Sequence, residues 1–109
     1  MFCATVLYPF SQEESFDHSK YITLAQRYAD ILGDNCAGFE IRKGLNSPGE
    51  PHVKYICVAS FLIKSAEAFG AAMQRAEMKE LMTEIVAFTN IQPIRQFDAV
   101  VFSSVAKGG

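Results

Sequence analysis

Tyr55 to Ile63 reads Tyr-Ile-Cys-Val-Ala-Ser-Phe-Leu-Ile, a nearly unbroken apolar run rich in β-branched and aromatic residues. A run of that length and composition fits a strand buried on both faces, because neither alternate set of side chains is polar enough to face water. A sheet built around such a strand needs cover on each side, so the chain must fold in layers.

The amino end makes the same demand. Phe2, Ala4, Val6 and Tyr8 alternate with Cys3, Thr5 and Leu7; both sets are mostly apolar, and Pro9 ends the strand. Phe39-Glu40-Ile41-Arg42-Lys43 reads as a second strand. It is divided from the Tyr55–Ile63 run by Asn46-Ser47-Pro48-Gly49-Glu50-Pro51, whose prolines and glycine exclude regular pairing, so the two strands flank a long hairpin loop. Ile94 to Val105 closes the chain as a fourth strand.

Helical spacing fills the intervals. Ser11-Gln12-Glu13-Glu14 has the spacing of a capping box and predicts a helix beginning there. The helix presents a broad apolar face through Phe16, Tyr21, Ile22, Leu24, Ala25, Tyr28, Ile31 and Leu32, and stops at Gly33. After Ser65, a cap with Glu67 in the first turn, Phe69, Ala72, Met73 and Ala76 keep helical spacing. Met78, Leu81, Met82 and Ile85 resume it on a shifted phase, which reads as one helix or as two short ones bent near Arg75 to Glu77.

The order β-α-β-β-α-β, with no linker or low-complexity stretch, defines one α+β domain over residues 1–109. It is the split βαβ, ferredoxin-like pattern: a four-stranded antiparallel sheet with its helices on one face. The other face is left bare although alternate positions read as apolar on both sides. Half of the residues are hydrophobic and nine are Phe, more than one small core absorbs. A second copy packed sheet to sheet about a two-fold axis is the simplest cover, so a homodimer is expected.

The formal net charge of −2, with no Lys/Arg-rich block, argues against nucleic acid as a partner. No apolar run approaches the roughly 20 residues of a membrane span. The start, Met-Phe-Cys-Ala-Thr, lacks the features of a signal peptide, so no membrane partner and a cytoplasmic location are expected. Cys3, Cys36 and Cys57 are odd in number and widely separated, which suits neither a disulfide framework nor a zinc site. Cys36, in an expected loop, is the thiol most open to reaction. No Gly-rich phosphate loop, dinucleotide fingerprint, His-Glu-x-x-His pair or nucleophile elbow occurs, which leaves chemistry without metal or cofactor, or no chemistry.

Five segments in order carry a family resemblance. They are Leu7-Tyr8-Pro9, Phe16-Asp17-His18-Ser19-Lys20-Tyr21, Gly38-Phe39-Glu40-Ile41-Arg42-Lys43-Gly44-Leu45, Ser65-Ala66-Glu67-Ala68-Phe69 and Phe88-Thr89-Asn90-Ile91-Gln92-Pro93. Over nearly its whole length the chain resembles the EthD family, named for a protein of ethyl tert-butyl ether degradation. The resemblance implies a dimeric α/β barrel with a pocket between sheet and helices in each subunit. Relatives of this fold include monooxygenases, decarboxylases, cyclases, isomerases and heme-degrading proteins, so the fold does not settle the function. Family members usually continue the first helix with His-x-Pro-Leu, where this chain has Ala25-Gln26-Arg27-Tyr28. The resemblance thus implies that the family's usual helix histidine is absent here, and if that histidine is the acid, base or ligand of active relatives, three outcomes are open. The role has been lost, has moved to another group, or the protein binds without catalysing.

Several side chains are candidates for the site. His18, beside Asp17, is either a partly exposed helix histidine or a general acid or base at the pocket mouth. It lies seven residues before Ala25, roughly 10 Å along a helix, too far to replace the missing histidine in place. Tyr8, Tyr21, Tyr28 and Tyr55 can each bury a ring and offer a hydroxyl; Tyr8 and Tyr21 are the better pocket candidates, and Tyr28 falls on the core side. Asn90 and Gln92 either orient a ligand oxygen or hold a turn before Pro93. Arg42 reaches solvent, anchors an anion, or meets Glu40 across a dimer. The function expected is a cofactor-independent enzyme for a small apolar or aromatic molecule, with His18 and Tyr21 in proton transfer and Tyr8, Tyr55, Asn90, Gln92 and Arg42 in binding. The alternative is a non-catalytic small-molecule-binding or accessory protein of a degradation or biosynthetic pathway.

Overall fold

Two antiparallel strands, β1 (Phe2–Pro9) and β3 (Tyr55–Ile63), lie side by side at the centre of the sheet in a computed structural model of the chain, which describes residues 1–104. β2 (Cys36–Lys43) flanks β3 and β4 (Ile94–Ala99) flanks β1, giving the antiparallel order β2-β3-β1-β4. The helices α1 (His18–Leu32), α2 (Ala66–Met73) and α3 (Ala76–Phe88) cover one face. The third strand has the bounds expected of it. β2 starts earlier than expected and takes in Cys36, which is therefore a strand residue rather than a loop thiol. β4 ends at Ala99; of the longer strand expected there, Val105 lies outside the described residues.

The strand parity assigns each side chain to a face. Ala4, Val6 and Tyr8 of β1 stand opposite Phe61, Ala59 and Cys57 of β3, and this set points to the helices. It forms the core with Ile63 and with the fully buried Met78 and Leu81 of α3. The bare face differs from the uniformly apolar surface expected. Cys3, Leu7, Ile56, Val58 and Leu62 make it apolar along the two central strands, but Glu40 and Arg42 on β2 and Gln96 and Asp98 on β4 are polar. Thr5 and Ser60 are polar even at the centre. The outer strands pass close to water and can carry charge without desolvating it, whereas β1 and β3 cannot.

The first helix begins later than its apparent capping box. Asp17 is the cap: its Oδ1 accepts from the Lys20 backbone N–H at 3.0 Å. Phe16, just before the cap, packs on Tyr21, four positions into the helix, with ring centroids 5.3 Å apart. A capping aspartate and a hydrophobic staple thus fix this entry, and Ser11 to Glu14 stay outside the helix. Gly33 ends α1 at φ 61°, a backbone conformation that favours glycine. Ser65 caps α2 through the Ala68 N–H, as its position suggested. Of the two arrangements open for the second helical region the chain takes two helices, broken at Gln74–Arg75.

The β2–β3 hairpin has one tight approach. A Cβ on Gly44 would meet the Tyr55 carbonyl oxygen, whose position the strand fixes. Among the described residues no helix is long and apolar enough to cross a membrane. Asp17→Ala is expected to lower stability by about 1 kcal/mol in urea unfolding, the usual loss for a helix cap. Ser11→Ala should leave the midpoint unchanged.

Candidate functional site

Small side chains at facing positions open a cavity between the layers. Ala4 on β1 and Ala25 on α1 both line it, and it has a volume of about 250 Å³. Strands β1, β3 and β4 and all three helices contribute to it. From α1 come Tyr21, Ala25 and Tyr28; from α2, Phe69 and Met73; from α3, Met82 and Ile85; and from β4, Arg95 and Phe97. The lining is mainly apolar and aromatic, which suits an organic molecule of similar character. A second cavity of about 50 Å³ adjoins it, lined by Thr89, Ile91, Gln92 and Pro93 among others. Tyr8, Ile85 and Arg95 border both.

Tyr8 and Tyr21 supply the polar focus of the larger cavity. Their rings meet edge to face with centroids 5.3 Å apart. The two side chains interact through their hydroxyls. Burial raises the pKa of both phenols; the hydrogen bond between them partly offsets the rise at Tyr8 and adds to the rise at Tyr21. Both phenols are therefore neutral donors near neutral pH. A neutral phenol keeps one O–H to donate and two lone pairs to accept, so the pair can hold a ligand oxygen in place. Tyr28, its phenol pushed up to about 12 mainly by burial, sits farther along the same helix face and contacts the Met73 sulfur at 3.9 Å.

The structure gathers only part of the expected set. Tyr8 and Tyr21 face each other in the larger cavity, and Gln92 lies in the smaller one beside Tyr8. His18 lines neither; its Nε2–H donates to the Ile56 carbonyl at 3.0 Å, tying the start of α1 to β3. Tyr55 begins β3 away from both cavities. Asn90 donates to Glu14 at 3.3 Å, and Arg42 pairs with Glu40 of its own strand on the bare face. Among the described residues no group of three or more His, Cys, Asp or Glu stands together as metal ligands.

Two contributors escaped the sequence reading. Tyr28, placed there with the core, lines the cavity, and the signal was its spacing from Tyr21 and Ala25. Arg95 borders both cavities, and the signal was a basic residue two positions before Phe97 on a strand, hence on the same face. The family-like alignment did find Ala25. It lines the cavity at 3% exposure, so the position at which the resemblance implies a histidine opens onto this space.

No family model and no curated protein matches the chain. Solved structures do. An EthD-like protein from Ralstonia eutropha is 29% identical with a TM-score of 0.76, covering 93% of this chain and 92% of that one. An EthD family protein from Bacillus halodurans is 17% identical at a TM-score of 0.71, over 91% and 97% of the two chains. SnoaB, a cofactor-independent oxygenase from Streptomyces nogalater, shares the fold at 10% identity and a TM-score of 0.57, over 94% of each. Sheet order, helix placement and these likenesses define a ferredoxin-like α+β protein. Within that class the chain is similar to EthD-like proteins, as its motifs indicated.

The buried phenols and the Cys57 thiol, which burial pushes up to about 11, give a pH test. Their pKa values are higher in the folded chain than in the unfolded one, where a thiol titrates at 9.0 and a phenol at 10.0. The stability they contribute is fully present below about pH 9 and is lost as pH rises through about 11 to 12. Urea midpoints should therefore be flat between about pH 7 and 9 and fall steadily above, with phenolate absorbance from Tyr8, Tyr21 and Tyr28 appearing late.

Proposed function

We propose that the chain binds a small, largely apolar or aromatic organic molecule between sheet and helices, and that it does so as a homodimer. The observation that carries this is the cavity of about 250 Å³, with aromatic walls and one pair of oriented phenols. Burial of a ligand against such walls supplies the affinity, and the Tyr8 hydroxyl orients one ligand oxygen. Pairing of two copies is supported by the sheet face that the helices leave uncovered, where Leu7, Val58 and Leu62 stand half-buried beside one another in a single chain.

A second reading is catalytic, and the hydrogen bond between Tyr8 and Tyr21 favours it. A chained pair of hydroxyls is a stronger donor than one alone and can stabilise an oxyanion that develops on the ligand, without metal or cofactor. SnoaB shows that a protein of this fold can be a cofactor-independent oxygenase. Against catalysis stands Ala25, which offers no proton acceptor at the position open to the cavity. His18 is engaged with the Ile56 carbonyl.

Titration with the neutral dye Nile red is expected to show saturable binding. Ala25→Phe, which fills the cavity, should weaken it at least tenfold while circular dichroism stays unchanged; undiminished binding would remove the pocket from the proposal. If the protein is an enzyme, Tyr8→Phe should cost roughly a hundredfold in turnover. For a carrier there is no turnover to lose. Light scattering after size exclusion should give twice 12.1 kDa for the native chain, and Leu62→Arg on the bare face should shift it towards the single-chain mass.

A further inference from the structure

Among the described residues Arg95 is the only charged one bordering either cavity, and it borders both. No ion pair or side-chain hydrogen bond engages its guanidinium among the described residues. The other carboxylates are committed or face elsewhere. Asp98, the one acid on β4, has opposite parity: its Oδ2 accepts from Thr5 at 2.5 Å and its Oδ1 from Gln96 at 2.6 Å. Glu84 on α3 is held by both Nη atoms of Arg27, at 2.9 and 2.7 Å, and Glu14 accepts from Asn90. Val6, Tyr8, Ile85 and Pro93 around Arg95 bear no charge. A guanidinium beside an apolar chamber, with no acid of its own, is a recognition element for an anion.

We propose that the ligand of this pocket is an apolar or aromatic carboxylate, received by Arg95 at the seam between the two cavities while its apolar body fills the larger one. The inference rests on the pocket being a binding site and adds the chemical class of what it takes. One guanidinium matches one negative charge, and the smaller cavity, at about 50 Å³, has room for a carboxylate but little more. Gln92, which lines that cavity, and the Tyr8 hydroxyl, between the two, supply neutral donors for the remaining lone pairs. The positive charge of Arg95 also acts on all three cavity phenols, lowering the pKa of Tyr8, Tyr21 and Tyr28 against the upward push of burial.

Calorimetric titration of the full chain with three acids and their methyl esters, benzoate, 1-naphthoate and decanoate, tests this. At least one pair should bind, the acid at least tenfold tighter than its ester, which is about 1.4 kcal/mol. In Arg95→Gln the acid should fall to within twofold of the ester while the ester's affinity holds. Arg95→Lys should keep part of the preference, and a high-salt buffer should shrink it. Arg95 is exposed and unpaired, so thermal melting should not change in either variant. Equal binding of acid and ester, or a preference that survives Arg95→Gln, overturns the carboxylate and leaves the pocket standing. Failure of every acid and every ester to bind overturns the pocket reading, and the carboxylate with it.

Discussion

The pairing of β1 with β3 is the constraint on which the rest of the molecule depends. Eight residues of β1 meet partners on β3, and the shared parity sends Ala4, Val6 and Tyr8 to the helices together with Cys57, Ala59, Phe61 and Ile63. A slip of one position would turn every one of these side chains to the other face, taking the core and the cavity with them. The helices then have no choice of side to cover. Their apolar stripes close over this set, and the gap above Ala4 and Ala25 stays open because neither residue can reach across it.

The fold was largely legible because its central strands are written in period-two and unbroken apolar patterns that nothing else satisfies. β3 could be bounded to the residue; the sheet order followed from the sequence of elements. The start of α1 was misplaced because two capping signals compete within a few residues. Local spacing alone cannot tell that Phe16 will find Tyr21, Tyr8 and Phe88, and it is this tertiary cluster that selects Asp17 as the cap. The apolar bare face was overstated for a related reason, since alternation reveals which residues share a face but not which strand becomes an edge.

The site was legible only where a residue type announces itself. Tyr8 and Tyr21 stood out as aromatic hydroxyls within motif segments, and they do meet. His18, Asn90 and Arg42 carry equally suggestive chemistry but engage local partners: a strand carbonyl, Glu14 and Glu40. Arg95 went unread because its meaning depends on what is missing around it, and a missing acid is not a motif. The departure at Ala25 could be read only against a family pattern, and the structure places its small side chain in the cavity wall.

β4 is an edge strand, paired on one side only, yet it brings Arg95 and Phe97 to the cavity. Apart from Ile91, the buried core residues lie instead on β1, β3 and the helices. β4 thus lines the cavity without carrying the core, whereas Tyr8 on β1 serves both. If the cavity binds as proposed, substitutions at position 95 or 97 redraw the preferred ligand without disturbing the register that holds the sheet. A fold with its lining on an edge strand can alter what it accepts by single steps, each starting from a protein that still folds.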